Sequence, residues 1–267
     1  GDTYSASANR GFALGADGGY LNLSVEARKR DETNRAGPDT LRVSPPRVTQ
    51  RLGDSNAKDY YLWMNSALPI GGNGGELYAF GGASKRKGDS GGFFRPAEDS
   101  RNVPEIYPNG FLPNIVTTVQ DASLAVGYRH DLPNGWNADA SVNHGRSQLK
   151  FHERNSINVS YWYENGESPT SADTGTLKFE QTTFNLDFKG PVNLMGGELF
   201  VAAGVEWRRD NYEIEAGDPV SYQYGRTNNP AIIIRDQTGG IAASGIQGFP
   251  GYTPSTAVDQ GRHNTSF

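Results

Sequence analysis

The sequence predicts an all-β fold whose antiparallel strands form a segment of a transmembrane β-barrel. From Asp121 to His130 the apolar residues occupy the even positions, and after the Asn134-Gly135 turn they again keep to one parity as far as Val142. A period of two over about ten residues is typical of a strand with one apolar and one polar face, and Asn-Gly is a frequent hairpin turn. No helical period interrupts the strands, which excludes folds built from strand–helix–strand units.

Eight segments of the chain show this alternation wholly or in part. They are residues 3–14, 21–28, 60–68, 77–86, 121–130, 136–143, 184–189 and 199–208. Arg10 falls on the apolar parity of the first segment, and Leu77 and Tyr78 compete for the apolar face of the fourth. We expect residues 157–163 to add strand at the rim of a loop, and no strand of comparable length after Tyr212.

The connections between these segments sort by length. Short turns are centred near Ala16, Gly72, Asn134 and Asn193, and long connections near Pro38, Pro104, Asn165 and Gly240. Bacterial outer-membrane barrels have short periplasmic turns and long extracellular loops. We would not expect a soluble sandwich to sort its connections so consistently, although its strands alternate in the same way.

The composition excludes several classes of protein. No apolar run approaches 18 residues and the mean hydropathy is -0.63, which argues against helical membrane spans. A barrel tolerates low hydropathy because half of each strand faces water. The net charge of -5 argues against a nucleic-acid partner, and the absence of cysteine excludes disulfides, thiolate catalysis and cysteine-bound metals.

The orientation of the strands indicates a piece of a larger barrel. If the short turns are periplasmic, the first strand begins outside the cell and the eighth strand ends outside. Complete bacterial barrels have an even number of strands, and familiar ones keep both termini in the periplasm, so we expect at least one further strand on each side. No basic and apolar leader opens the sequence, so any signal peptide is expected to lie outside it.

Several loop and strand segments, taken in their order and spacing, resemble the TonB-dependent outer-membrane receptors. The segments are RNVPEIYPNGFLP (101–113), DTGTLK (173–178), QTTFNLD (181–187), GVEWRRDNY (204–212) and GFPGYTPS (248–255). The resemblance implies a 22-stranded barrel that is filled by an N-terminal plug and energised by an inner-membrane complex. The chain has no plug, no energy-coupling box and no closing strands, so residues 1–267 are expected to be a partial barrel domain of about eight strands.

Charged residues on the predicted polar faces are candidates for contact with substrate or plug. They are Glu26, Arg28, Asp139, Glu206 and Arg208. The functional interpretation is that a large plugged barrel needs a polar inner wall. The simpler interpretation, which we favour, is a hydrated lumen in which these charges pair with one another.

Aromatic residues fall into two predicted groups. The long loops carry Phe93, Phe94, Tyr107, Phe111, Phe249 and Tyr252, which either close over a ligand or pack the loops together and meet lipopolysaccharide. The strand ends carry Tyr60, Tyr128, Trp136 and Trp207, which are expected to form aromatic girdles at the membrane interfaces rather than ligand stacks.

No catalytic, metal or cofactor site is predicted. The four histidines lack metal-ligand spacing, and no carboxylate pair converges with a nucleophile. The glycine-rich segment 71–75 is interpreted as a hairpin turn and not a phosphate loop, because no helix follows it.

The function that the resemblance implies is active import of a scarce solute across the outer membrane of a Gram-negative bacterium. The expected ligand is a small molecule such as a ferric siderophore, another metal chelate or a carbohydrate. The expected partners are the inner-membrane energising complex, through the missing plug, and outer-membrane lipid and lipopolysaccharide. A passive porin and a soluble β-sandwich or adhesion module are the alternatives.

Overall fold

The computed structural model describes residues 1–71 and 74–267. Within these ranges the chain forms one antiparallel sheet whose nine strands are paired in sequence order. The strands are β1 (Thr3–Leu14), β2 (Gly19–Arg30), β3 (Asn56–Ile70), β4 (Gly75–Gly91), β5 (Asn114–Asp131), β6 (Asn137–Arg154), β7 (Ala172–Leu194), β8 (Gly197–Ala216) and β9 (Val258–Ser266). The prediction of an all-β, antiparallel fold is confirmed. The sheet does not close on itself, because β1 pairs with β2 alone and β9 with β8 alone.

The sequence-based assignment of strands needs two corrections. The sheet has nine strands and not eight, because β9 forms in the region where no comparable strand was expected. β9 was not predicted because the positions that share a face with Trp207 of β8 carry Asp259, Gly261 and His263 in place of apolar residues. The expected strand at 157–163 is wrong, since α1 (Val159–Asn165) forms there.

Helices are a minor part of the structure. The side chain of Asn158 caps α1 by accepting a hydrogen bond of 3.2 Å from the backbone N–H of Tyr161. α2 (Pro219–Tyr222) is a single turn. No helix in the described residues is long and apolar enough to cross a membrane.

The strand register separates an apolar face from a polar face. One cross-strand row joins Phe12, Leu21, Val126, Val142, Phe184 and Trp207 on the apolar face, and the next row joins Gly11, Asn22, Asn143 and Arg208 on the polar face. Leu77 lies opposite Leu68 and Tyr128, so it belongs to the apolar face, and Tyr78 belongs to the polar one. The alternation predicted for the hairpin of β5 and β6 is therefore the register of the whole sheet.

The short connections join the strands at one end of the sheet, which we call the turn end. The β5–β6 turn is a single 3₁₀ turn, Pro133–Gly135, in which Asn134 and Gly135 both adopt positive φ, 65° and 78°. The β7–β8 turn is narrower than predicted: Asn193 still belongs to β7, and Met195 and Gly196 make the turn. The predicted β3–β4 turn near Gly72 falls partly on residues outside the described ranges.

The turn end is staggered across the sheet. Ala13 of β1 and Asn185 of β7 lie in the same cross-strand row. β1 ends one residue beyond that row, whereas β7 ends at Leu194, nine residues beyond it. At about 3.3 Å per residue and about 4.8 Å per strand, a stagger of eight residues over six strand spacings corresponds to an inclination of roughly 42°.

The long connections pack together at the opposite end of the strands, which we call the loop end. Residues 92–113, 155–171 and 217–257 share a core of Val103, Phe111, Ile157, Val159, Ile234 and Ala242, all buried. The fourth long connection, residues 31–55, joins them through a hydrogen bond from the Arg47 guanidinium to the carbonyl of Asn109. The loops therefore form a compact layer with its own core, which we call the loop cap.

Candidate functional site

The polar face is concave and encloses a cleft of about 860 Å³ that is lined by residues from β1 to β7. Small residues form its floor, so the backbone is open to a ligand or a protein partner: Gly82, Ser84, Ser123, Gly145 and Ser147. Aromatic and acidic side chains stand beside this floor: Tyr61, Trp63, Phe179, Glu26 and Asp121. A concave surface with a few polar groups and aromatic walls suits a small-molecule ligand.

Of the predicted lumen residues, only Glu26 lines this cleft. The Arg28 guanidinium donates to the Glu26 carboxylate at 2.7 Å, so the two charges are paired. Arg28 lies on β2, Asp139 on β6 and Glu206 on β8, so at about 4.8 Å per strand their strands are roughly 19 Å and 10 Å apart, and Arg28 lies much nearer the loop end than Asp139. The structure therefore does not gather the five predicted residues into one site.

Asp139 belongs to a cross-strand network near the turn end. The Tyr78 hydroxyl on β4 donates to the Asp139 carboxylate on β6 at 2.7 Å. Tyr78 reaches across β5 because the intervening residue is Gly127, where a Cβ atom would overlap the tyrosine ring. The Arg129 guanidinium lies over the Tyr78 ring, 5.7 Å from its centroid. Asp139 is thus engaged in holding three strands together.

Arg208 and Glu206 lie on the polar face of β8. The Arg208 guanidinium is 3.8 Å from the Asp210 carboxylate, which also accepts a hydrogen bond of 2.9 Å from Arg262 on β9. Glu206 is level with Asn185 and Ser266. The pairing of Arg208 fits the simpler interpretation of a charged wall with internal ion pairs.

The cleft contains residues that were not proposed as a site from the sequence. The Asp121 carboxylate accepts hydrogen bonds from Ser84 at 3.2 Å and from Ser147 at 2.6 Å, so it bridges β4, β5 and β6. Trp63 lies over Gly82, where a Cβ atom would overlap its ring. The polar parity of these positions was visible in the sequence, but the register that brings separate strands together was not.

The aromatic residues of the loops divide into three placements. Phe94 and Phe111 are buried in the loop cap, and Tyr107 stacks on Phe111 with ring centroids 4.4 Å apart. Burial raises the pKa of the Tyr107 hydroxyl to about 12, and this hydroxyl donates to the carbonyl of Ser156 at 3.1 Å. Phe93 stands apart with 76% of its surface exposed. Packing of the loops accounts for the first three side chains without a ligand.

Phe249 and Tyr252 reach back from the loop cap onto the polar face. Phe249 packs on Phe151 of β6 with centroids 4.8 Å apart, and Tyr252 meets the same ring edge-on at 6.4 Å. Tyr252 also lies over Gly175 of β7, where a Cβ atom would overlap its ring. This segment therefore covers the loop end of the concave face.

Glu153, next to this segment, is a fully buried carboxyl group at the loop end of β6. Neither of its oxygens has a hydrogen-bond partner of good geometry, although the backbone N–H of Phe249 lies close enough to lower its pKa somewhat. Burial, with a smaller contribution from the charge of Asp89, raises the Glu153 pKa to about 8. Gly248 packs so closely on this carboxyl that a Cβ atom there would overlap it.

The predicted girdle residues occupy different positions. Tyr60, Tyr128 and Trp207 lie on the apolar face, with Tyr60 towards the loop end and Tyr128 near the turn end. Trp136 precedes β6 at the turn end and lies over Gly190. Within the described residues no cluster of three or more potential metal ligands forms.

The comparisons with known proteins add no family. The chain matches no known protein-family model. No curated protein matches it at a significant level.

Proposed function

We propose that the chain is part of an outer-membrane β-barrel, and that the barrel is an active importer of the TonB-dependent receptor class. The observation that carries the membrane part is the sorted sheet: short connections at one end, a loop cap at the other, and an apolar face between them. That face is uncovered, with Phe12, Leu62 and Leu124 exposed by 43%, 51% and 46%. So extended an apolar surface is a mark of contact with a partner or a membrane.

The dimensions of the apolar face fit a bilayer. From Tyr60 to Ile70 the chain takes ten steps, roughly 33 Å along the strand. At the inclination of roughly 42° these residues span about 25 Å, which is the height of the apolar band of outer-membrane barrels. The inclination itself falls in the range of about 35–45° that barrel closure requires.

The open edges of the sheet support a larger assembly. An unpaired strand edge is not tolerated in hydrocarbon, because its N–H and C=O groups have no water to bind. We therefore propose that β1 and β9 pair with further strands of the same barrel. The cap would face the cell exterior, and Glu153 and the loop-cap residues would lie beyond the membrane-spanning segments.

The transport part of the proposal rests on the segments that resemble TonB-dependent receptors. In this proposal the loop cap and a plug capture a scarce solute such as a ferric siderophore, and energised movement of the plug releases it inward. The residues proposed to meet ligand or plug are those of the cleft, with Trp63, Phe179 and Asp121 foremost. The reaction involves no covalent step.

Two measurements test the proposal. The protein in its native outer membranes should run as a heat-modifiable band well above 28.9 kDa, the mass of this chain. Uptake of the scarce solute should stop when an uncoupler collapses the inner-membrane proton gradient. Solute flux that persists with the uncoupler would establish a passive porin, and a soluble protein of about the chain's mass would establish a self-contained β domain.

A further inference from the structure

Four exposed lysines lie together on the apolar face, at the loop end of β2, β3 and β4. We call Lys29, Lys58, Lys85 and Lys87 the lysine patch. Lys29 lies directly opposite Lys58, and Lys58 lies directly opposite Lys87. Lys85 is two residues from Lys87 along β4, diagonal to Lys58. Three adjacent strands thus present four cations on one small area.

This arrangement is electrostatically unfavourable unless an anion is present. Residues directly opposite each other on neighbouring antiparallel strands have Cβ atoms about 4.5–5.5 Å apart, and like charges there destabilise the pair. In the described ranges, no carboxylate oxygen comes within the 4.0 Å ion-pair distance of the Lys58, Lys85 or Lys87 ammonium. The patch therefore carries uncompensated positive charge.

The carboxylates beside the patch are already in use. Asp31 pairs with Lys29 at 2.8 Å, which leaves three ammonium groups uncompensated. Asp89, two residues beyond Lys87, pairs with Arg51 at 3.1 Å and also with Arg154. The protein thus supplies carboxylates to the surrounding cations and leaves most of the patch without one.

The concave face of the same strands is built differently. There Arg28 pairs with Glu26 on β2, and Arg86 of β4 pairs with Asp59 of β3. On the concave side of these strands the neighbouring cations are therefore neutralised, whereas in the described residues Lys58, Lys85 and Lys87 on the apolar side have no carboxylate partner. The unpaired positive charge of these strands therefore lies on the apolar face.

The position of the patch relative to the apolar band indicates the kind of anion that fits it. Lys58 lies two residues beyond Tyr60, the aromatic residue at the upper limit of the apolar band, and Lys85 is directly opposite Tyr60. Beneath them the same two strands carry Leu62 and Ala83, which face outward. A molecule that covers this surface meets ammonium groups at one end and hydrocarbon at the other.

We propose that the lysine patch binds the phosphate groups of a phosphorylated outer-leaflet lipid of the bisphosphorylated lipid A type, the membrane anchor of lipopolysaccharide. Its acyl chains lie along the apolar band and its phosphates bridge β2, β3 and β4. Juxtamembrane lysines bind anionic headgroups through the same charge complementarity. The proposal rests on the proposed membrane orientation, which places the loop end in the outer leaflet.

The test uses the full protein, purified from outer membranes, freed of lipid and reconstituted in zwitterionic nanodiscs with added bisphosphorylated lipid A. Lipid retained after affinity purification is measured by mass spectrometry. At about fivefold per lysine, Lys87→Gln is expected to lower the association about fivefold, and the combined change K58Q/K85Q/K87Q roughly 100-fold. Lys189→Gln, an exposed lysine on the concave face near the turn end, is the matched control and should bind like the unmodified protein.

Several outcomes overturn the proposal. These are equal retention of lipid A by the combined variant, equal retention of fully dephosphorylated lipid A, and complete displacement of the lipid by millimolar inorganic phosphate. A protein that inserts into the nanodiscs and still fails to retain lipid A refutes the patch alone. A protein that stays in the aqueous phase refutes the membrane orientation and the patch together.

The combined variant also has a readout without lipid. In lipid-free detergent it should melt at the same temperature as the unmodified protein or higher, since removing like charges relieves repulsion. A marked loss of stability there would show that the lysines serve the fold, and would overturn the assignment.

Discussion

Ionisation of Glu153 is predicted to loosen the segment around Phe249 from the concave face. The carboxyl is fully buried against Gly248, and its pKa in the closed loop is about 8, against 4.5 for a hydrated glutamate. Because the closed state favours the protonated acid, attachment of the loop is unaffected below pH 4.5. Attachment weakens as the pH rises from 4.5 to about 8, and it levels off above that.

The size of the effect follows from the difference between the two pKa values. About 3.5 pH units at about 1.4 kcal/mol each give at most about 5 kcal/mol. Water entry and relaxation around the carboxylate reduce this limit. Within the window, the equilibrium between closed and open loop changes by up to about tenfold per pH unit.

Hydrogen exchange of peptides that cover residues 245–253 measures this equilibrium, after correction for the intrinsic pH dependence of exchange. The unmodified protein should lose protection between pH 4.5 and 8. Glu153→Gln should remain protected throughout, because the amide cannot ionise. Glu105→Gln, an exposed glutamate of the neighbouring loop, should follow the unmodified protein. An unchanged pH dependence in Glu153→Gln, or no pH dependence in the unmodified protein, would refute this role of Glu153.

Three substitutions test the two faces and the loop cap. Leu124→Arg should reduce the heat-modifiable, membrane-inserted fraction, because an arginine on the lipid side near the midplane costs about 2–4 kcal/mol. Gly127→Ala should lower the urea midpoint of unfolding by an amount equivalent to about 1–3 kcal/mol, because the added methyl group overlaps the ring of Tyr78. Phe111→Ala should cost the loop cap about 3–5 kcal/mol and speed its proteolysis.

Each of these changes has a matched control. Ser123→Arg places the same charge in the concave cleft one residue away and should insert normally. Gly145→Ala, on the same face one strand further, meets no atom closer than 3.8 Å and should unfold like the unmodified protein. Phe93→Ala removes an aromatic ring that is 76% exposed and should leave proteolysis unchanged. Equal effects within a pair would contradict the assigned facing or packing.

The strands were predictable where one face is continuously apolar. The alternation that includes Leu21, Val25 and Leu62 predicts their strands, because a period of two is visible within a short stretch of sequence. β9 gave no such signal, since its pairing with β8 decides its conformation. α1 was mistaken for strand because its aromatic and β-branched residues favour strands, whereas the cap from Asn158 and burial in the loop cap make it helical.

The candidate site was less predictable than the fold. The sequence showed which residues share a parity, but Asp121 becomes part of a site only through its register with Ser84 and Ser147. The burial of Glu153 could not be predicted either, because it depends on Phe249, which lies 96 positions further along the chain. Contacts between distant loops follow from packing and not from a local period.

The most direct test of the account is the environment of each side of β5 in the native membrane. The chain has no cysteine of its own, so single cysteines introduced at consecutive positions from Asp121 to Tyr128 are the only sites within it that a thiol-reactive fluorophore can label. Bromolipid should quench the fluorophore at the even positions, which face lipid, and leave the odd positions bright. Equal quenching at both parities, or none at either, would contradict a sheet that faces lipid with its apolar side.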